Sequence, residues 1–374
     1  MTSTLPTGAS SPGAAATRAG YPIVDTDIHP SAPAAEIRAR LSGAHRERWE
    51  LFGGRVPNPP EFYPRVRNAG FRLDSWPEAG GIPGSDLGTT QAQLLDEFGV
   101  DHGVLIPLQG HTFGAEEPRY SAALCGALND WLAEEWLAPE PRLRSSIAIP
   151  TESPDLAADE IARRAGDPRF VQVLLPTGGE TGFGARRYWP IYRAAADAGL
   201  PVAAHTGGIE QHRGAGWPSF YLEEHVWNGN MMAALVTNLL CEGVFEEFPS
   251  LQVICVEGGI VWAAPLMWAL DEAWPRLRAD VPHLRKPPSE YLREHLWFTT
   301  QPIEEPDDPR HLATALEHVG MTDRIMFASD YPHWDFDSPR LAPRLFPSEA
   351  RENIMGANAC RLYGLPARAT EGTR

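Results

Sequence analysis

The chain has 374 residues, 43% of them hydrophobic, with a formal net charge of -17 and a pI near 5.1. That length and apolar content suffice for one large core. The acidity repels phosphate backbones and anionic lipid, which excludes nucleic acid and membrane surfaces as partners.

Residues 1–20 are rich in Ala, Ser, Thr, Gly and Pro, with no basic region leading into an apolar stretch. They read as a disordered tail and not as a secretory signal. Eight short, β-rich apolar segments follow: Tyr21 to His29, Val100 to Leu108, Leu143 to Pro150, Phe170 to Leu175, Pro201 to His205, Leu251 to Glu257, His295 to Thr300 and Arg324 to Asp330. Amphipathic stretches of helix length stand between them, among them Tyr120 to Leu137, Ser153 to Ala165, Tyr188 to Ala198 and Met231 to Glu242. Strand alternating with helix through eight rounds predicts an α/β fold, a closed (β/α)8 TIM barrel spanning residues 21–365, with 366–374 as a C-terminal tail. No GxGxxG or GxxxxGK[ST] follows the first strand, which removes the usual nucleotide-binding folds.

Two connections exceed an ordinary turn: residues 42–93 after the first strand, rich in Pro, Gly and aromatic residues, and residues 206–228 after the fifth. Both leave strand C-terminal ends, where barrel enzymes place their chemistry, so they are expected to form the walls and lid of a pocket. Within them Arg65, Arg67 and Arg213 are candidates for gripping a substrate acid, and Trp76, Trp217 and Tyr221 for covering an apolar body. The window Gly259 to Leu270 is too short for a membrane span and carries Pro265, which suits a strand-to-helix passage. Cys125, Cys241, Cys255 and Cys360 show no CxxC or zinc-ribbon spacing and read as buried free thiols of a reducing cytoplasm.

The ionisable residues of interest stand at or just beyond predicted strand ends. The first strand ends in Asp25-Thr26-Asp27-Ile28-His29, and the fifth, sixth and eighth end in His205, Glu257 and Asp330. Residues two apart in a strand share a side, so Asp27 and His29 can reach one ion. Barrel closure brings Asp330 beside that pair, while His205 comes from across the mouth. Imidazole and carboxylate together suit Zn(II), Fe(II) or Mn(II), with an open position for water or substrate.

Val24-Asp25-Thr26-Asp27-Ile28-His29-Pro30, Ala204-His205-Thr206-Gly207-Gly208, Glu257-Gly258-Gly259-Ile260-Val261-Trp262 and Ala328-Ser329-Asp330-Tyr331-Pro332-His333-Trp334-Asp335 together resemble the amidohydrolase-related branch that includes aminocarboxymuconate-semialdehyde decarboxylase. The resemblance runs in order from about residue 21 to 365 and implies a metal-dependent barrel with Asp330 as ligand and central proton-transfer group. Decarboxylases of that branch often begin with His-x-His or Glu-x-His, where this chain has Asp27 and His29, and many place a His where this chain has Glu257. The pattern resembles a divergent subgroup, some of whose members use dinuclear iron for thioester hydrolysis or oxidation. On that resemblance Glu257 is a candidate ligand for a second ion, with His225 and His333 as further candidates.

The leading expectation is therefore a metal-dependent hydrolase acting on an ester, thioester or amide of a small organic molecule. Asp330, Glu257 and His333 are its catalytic residues; Asp27, His29, His205, His225, Glu257 and Asp330 hold one or two divalent ions, zinc or iron, with manganese as the alternative. The alternatives are non-oxidative decarboxylation of a carboxylic acid and di-iron oxygen chemistry. Homo-oligomerisation is common in the resembling family and is carried as an expectation.

Overall fold

A computed structural model describes residues 20–53, 67–114, 116–208 and 218–367. Eight parallel strands follow one another in chain order: β1 (Val24–Ile28), β2 (His102–Leu105), β3 (Leu143–Ile147), β4 (Phe170–Gly178), β5 (Val202–Gly208), β6 (Val253–Val256), β7 (Leu296–Thr299) and β8 (Ile325–Met326). Each falls on one of the eight predicted segments. The strands and their flanking helices form the expected (β/α)8 barrel.

Strand β8 is much shorter than the predicted Arg324 to Asp330. Beyond Met326 the backbone leaves the ladder and divides its hydrogen bonds among several neighbours. Phe327 N donates to Ile354 O (2.8 Å), and Ala328 N to Thr300 Oγ1 (3.0 Å). The same stretch closes the ring, since Thr26 N donates to Phe327 O (3.0 Å), Asp330 N to Asp27 O (3.1 Å) and His29 N to Tyr331 O (2.8 Å).

Two buried cores follow from period-two alternation. Val24, Ile106, Leu174, Ala203, Ile254, Val256, Trp297 and Met326 fill the barrel interior, where Leu362 and Tyr363 of the C-terminal helix Asn358–Tyr363 pack against them. Ile28, Ala204, Cys255, Phe298 and Phe327 belong to the larger core between sheet and helices. Gln172 inside the barrel is paired at both ends of its amide: its Nε2 donates to Ser146 Oγ (2.8 Å), and Tyr363 OH donates to its Oε1 (2.7 Å).

The long connection after β1 is more regular than its composition predicts. It contains the helix Gly43–Phe52, which buries Trp49, and the helical segment starting at Leu87, capped by Asp86 Oδ1 accepting from Thr89 N at 2.7 Å. Pro and Gly averaged over the whole stretch hid these helices. Among the cysteines, Cys125 and Cys255 are buried as expected, whereas Cys241 is exposed and Cys360 half-buried. No described helix is long and apolar enough to cross a membrane.

Candidate metal centre and active site

The β1 to β2 register shifts between Asp25 and Ile28. Ile28 thereby packs outward, while the flanking Asp27 and His29 turn into the mouth at the strand C-terminal ends. His29 Nε2 lies 3.2 Å from Asp27 Oδ1 and 2.7 Å from Asp330 Oδ1. Its Nδ1 meets the Ile106 carbonyl at 3.0 Å, which fixes the ring.

On β5, His205 shares the inward parity of Ala203, and its Nε2 stands 3.8 Å from Asp27 Oδ2 and 2.9 Å from Glu257 Oε2. His205 Nδ1 meets the Thr206 carbonyl at 2.7 Å. Parity alone would send Glu257 outward after Val256. Instead its backbone is left-handed (φ 55°), as is that of Asp330 (φ 59°), and both carboxylates turn into the mouth. Non-glycine residues adopt this conformation at a cost, and it concentrates at functional sites. Glu257 Oε2 also accepts from Thr206 Oγ1 (2.9 Å), and Glu257 N donates to Thr299 Oγ1 (3.2 Å).

Two overlapping ligand clusters result among the described residues, Asp27 with His29 and His205, and His29 with Asp330 and His333. His333 Nδ1 lies 2.5 Å from Asp330 Oδ1. His225 stands apart from both clusters, with its Nε2 3.3 Å from Asp335 Oδ2. Of the proposed wall residues, Tyr221 stacks on His225 and accepts from Trp334 Nε1 (3.0 Å), while Trp76 packs edge-on against Phe71, which in turn stacks on His333. Arg65, Arg213, Trp217 and the Arg67 side chain lie outside the described residues.

The carboxylates and imidazoles divide the charge unequally. Burial pushes Asp27 up to about 6, with His29 and His205 partly opposing it. Burial also raises Asp330, but His333 and His29 outweigh it and hold that carboxyl well below the usual range. His205 and His333 are pushed down by burial and more strongly up by their carboxylate partners, Glu257 and Asp330, each reaching about 9. Glu257 in turn is drawn below the ordinary glutamate range because His205 outweighs its burial.

Both Asp27 carboxylate oxygens, His29 Nε2, His205 Nε2 and Asp330 Oδ2 are enclosed without a well-formed hydrogen bond. So dense a set of buried carboxylate and imidazole atoms without good mutual geometry fits a divalent cation held by Asp27, His29, His205 and Asp330.

Sequence reasoning missed three residues of this mouth. Asp25 binds the segment before Asp330, accepting from Ser329 N (2.9 Å) and Ser329 Oγ (2.5 Å). Asp335 accepts from Gln301 Nε2 (2.9 Å) and faces His225. His111, three residues past the predicted second strand, lies with its ring centroid 5.6 Å from that of His205. The strand-end rule that selected His205 would have found His111, and it brackets Asp25 without giving it a role; nothing local assigns one to Asp335.

The amidohydrolase family profile matches residues 24–365. Among curated proteins, the gamma-resorcylate decarboxylase of Polaromonas sp. (strain JS666) is 25% identical over 288 residues, covering 72% of this chain and 84% of that protein. Among solved structures, a dihydroxybenzoic acid decarboxylase from Polaromonas sp. JS666, with bound manganese and the inhibitor 2-nitroresorcinol, superposes with a TM-score of 0.64 at 20% identity, covering 92% of this chain and 97% of that one. An amidohydrolase from Mycobacterium avium subsp. paratuberculosis K-10 reaches a TM-score of 0.70 at 21% identity, covering 93% and 99%. With a family match spanning the barrel from its first strand to its last helix, this chain belongs to the amidohydrolase family.

Proposed function

We propose that this chain is a metal-dependent lyase that removes carbon dioxide, without oxygen, from a small aromatic or enolic carboxylic acid. This reverses the order of the sequence expectation, in which hydrolysis led. The similarity to a gamma-resorcylate decarboxylase over most of both chains supports the decarboxylase reading. The observation in the site that carries it is the His333–Asp330 pair, 2.5 Å apart within the second ligand cluster.

In such a reaction the bond from ring or enol carbon to carboxylate breaks, its electron pair stays on that carbon, and a proton replaces the departing carbon dioxide. A divalent ion, when bound, supplies positive charge that holds the substrate's oxygens. Asp27, His29, His205 and Asp330 would hold that ion; the manganese in the similar decarboxylase structure favours the alternative expected from the sequence over zinc or iron. His333 Nδ1, 2.5 Å from Asp330 Oδ1, is placed to pass a proton between that carboxylate and the reacting carbon. Phe71, stacked on His333, walls that side with an aromatic face.

A second reading, hydrolysis of an acyl bond with two ions per chain, draws on Glu257. A carboxylate stands where many decarboxylases of the resembling branch carry a histidine, and Glu257 faces the mouth beside His205 at 2.9 Å.

The deciding experiment supplies the manganese-, zinc- or iron-loaded protein with 2,6-dihydroxybenzoate and related hydroxybenzoates under anaerobic conditions and measures carbon dioxide. Release abolished by Asp330→Asn supports decarboxylation. No release from any of them, together with turnover of a thioester or ester panel, overturns it in favour of hydrolysis. Metal content of wild type and Glu257→Gln then counts the ions: two, with one lost in the variant, supports the dinuclear reading.

A further inference from the structure

His111 is a buried polar group of the mouth that neither ligand cluster uses. It sits on the short helix Gln109–Phe113 after β2 and is 8% exposed. Its Nε2 is enclosed and has no hydrogen-bond partner. A buried ring nitrogen left unpaired is rare and costly, and calls for a partner that binds. The neighbouring rings of His205 and His29 share this condition at Nε2, and both face the proposed cation.

The seat of His111 is built from both sides. Gly207 on β5 has φ 132°, and a Cβ added there would lie 2.6 Å from His111 Nδ1, so only glycine leaves the ring its place. Gln109 locks the short helix to the β1 side of the mouth, with Ala32 N donating to Gln109 Oε1 (2.7 Å) and Gln109 Nε2 donating to Ala32 O (2.9 Å). Gly110 lets the helix settle against the chain just past β3, since a Cβ there would lie 2.9 Å from that of Ala148. The ring is therefore held beside His205 by contacts that do not involve its own Nε2.

We infer that His111 is a substrate-binding residue whose Nε2 hydrogen-bonds an oxygen substituent of the bound acid, next to the cation. This rests on the functional reading above and adds a specificity contact to it. An acid bearing a carboxylate or hydroxyl oxygen on the β2 side of the mouth satisfies the nitrogen; an apolar substituent there leaves it buried and unpaired, and such sites reject analogues lacking the polar group.

The test uses the full chain loaded with manganese, with 2,6-dihydroxybenzoate as probe, and compares wild type with His111→Asn and His111→Gln. Glutamine reaches the Nε2 position and asparagine does not. The expected result is unchanged manganese content in both variants, probe Kd raised at least tenfold in H111N and within about threefold of wild type in H111Q. Equal binding by wild type and H111N overturns the role of His111 and leaves the functional reading standing. Loss of manganese from H111N also overturns it, in favour of a metal-holding role. Failure of manganese-loaded wild type to bind the probe, with no carbon dioxide released from any of the hydroxybenzoates and turnover of the thioester or ester panel, overturns the functional reading and this inference with it.

Discussion

Asp25→Ala should uncouple the two ends of the closed barrel. Asp25 is fully buried and accepts from Ser329 N at 2.9 Å and from Ser329 Oγ at 2.5 Å, with a weaker contact from Asp27 N at 3.3 Å. Alanine leaves two Ser329 donors buried without acceptors at about 1–3 kcal/mol each, so metal-free protein should lose about 2–6 kcal/mol. Ser329 precedes Asp330 and Asp25 lies two residues before Asp27, so both proposed carboxylate ligands lose support. Manganese affinity should fall by about 10–100-fold, as for other residues that orient ligands from behind. Urea unfolding of the metal-free protein and a manganese titration read the two effects separately. Asp25→Asn should cost less, because burial raises the Asp25 carboxyl to about 7 and a neutral amide keeps one acceptor for Ser329 N. An Asp25→Ala protein with wild-type urea midpoint and wild-type manganese affinity would refute the reasoning.

Other outcomes follow from the same geometry. Asp330→Asn should cut turnover by about 100–10,000-fold while near-UV circular dichroism stays native, since it removes the partner of His333 and His29; retained turnover would sink the proton-transfer assignment. Chelation should lower Tm and added manganese restore it, a stabilisation of about 2.7 kcal/mol at a hundredfold excess over Kd; a Tm indifferent to both would count against the metal centre. Gly207→Ala should destabilise by about 1–3 kcal/mol through its left-handed backbone and the His111 ring, measured by thermal melting. Burial, helped by Glu305, Asp335 and Asp330, raises Asp337 to about 7. Folded protein thus holds this proton more tightly than unfolded, and the resulting stability, full below about pH 4, is lost as pH rises through 7. Asp337→Asn should therefore gain Tm relative to wild type from pH 4.5 to 8, and a pH-independent difference would contradict the shift.

Eight strands, their order and their closure were legible in the sequence because each strand is a short apolar run and each helix an amphipathic one, signals carried by neighbouring residues. The same locality exposed Asp27, His29, His205, Glu257 and Asp330, all at strand ends. What each does there was decided by contacts distant in the chain. The register shift that turns Asp27 and His29 inward depends on how β1 meets β2, and the left-handed turns at Glu257 and Asp330 reverse what strand parity alone assigns to Glu257. His225 reaches Asp335 and not the clusters because the helix Tyr221–Val226 packs against the loop after β8, a pairing across 110 residues that no periodicity encodes. Asp25 gripping Ser329 across 304 residues is of the same kind. Local pattern determined the elements and the face that carries chemistry; only barrel closure determined which ionisable groups meet, because hydrogen bonds and charge act over a few ångströms of space and not along the chain.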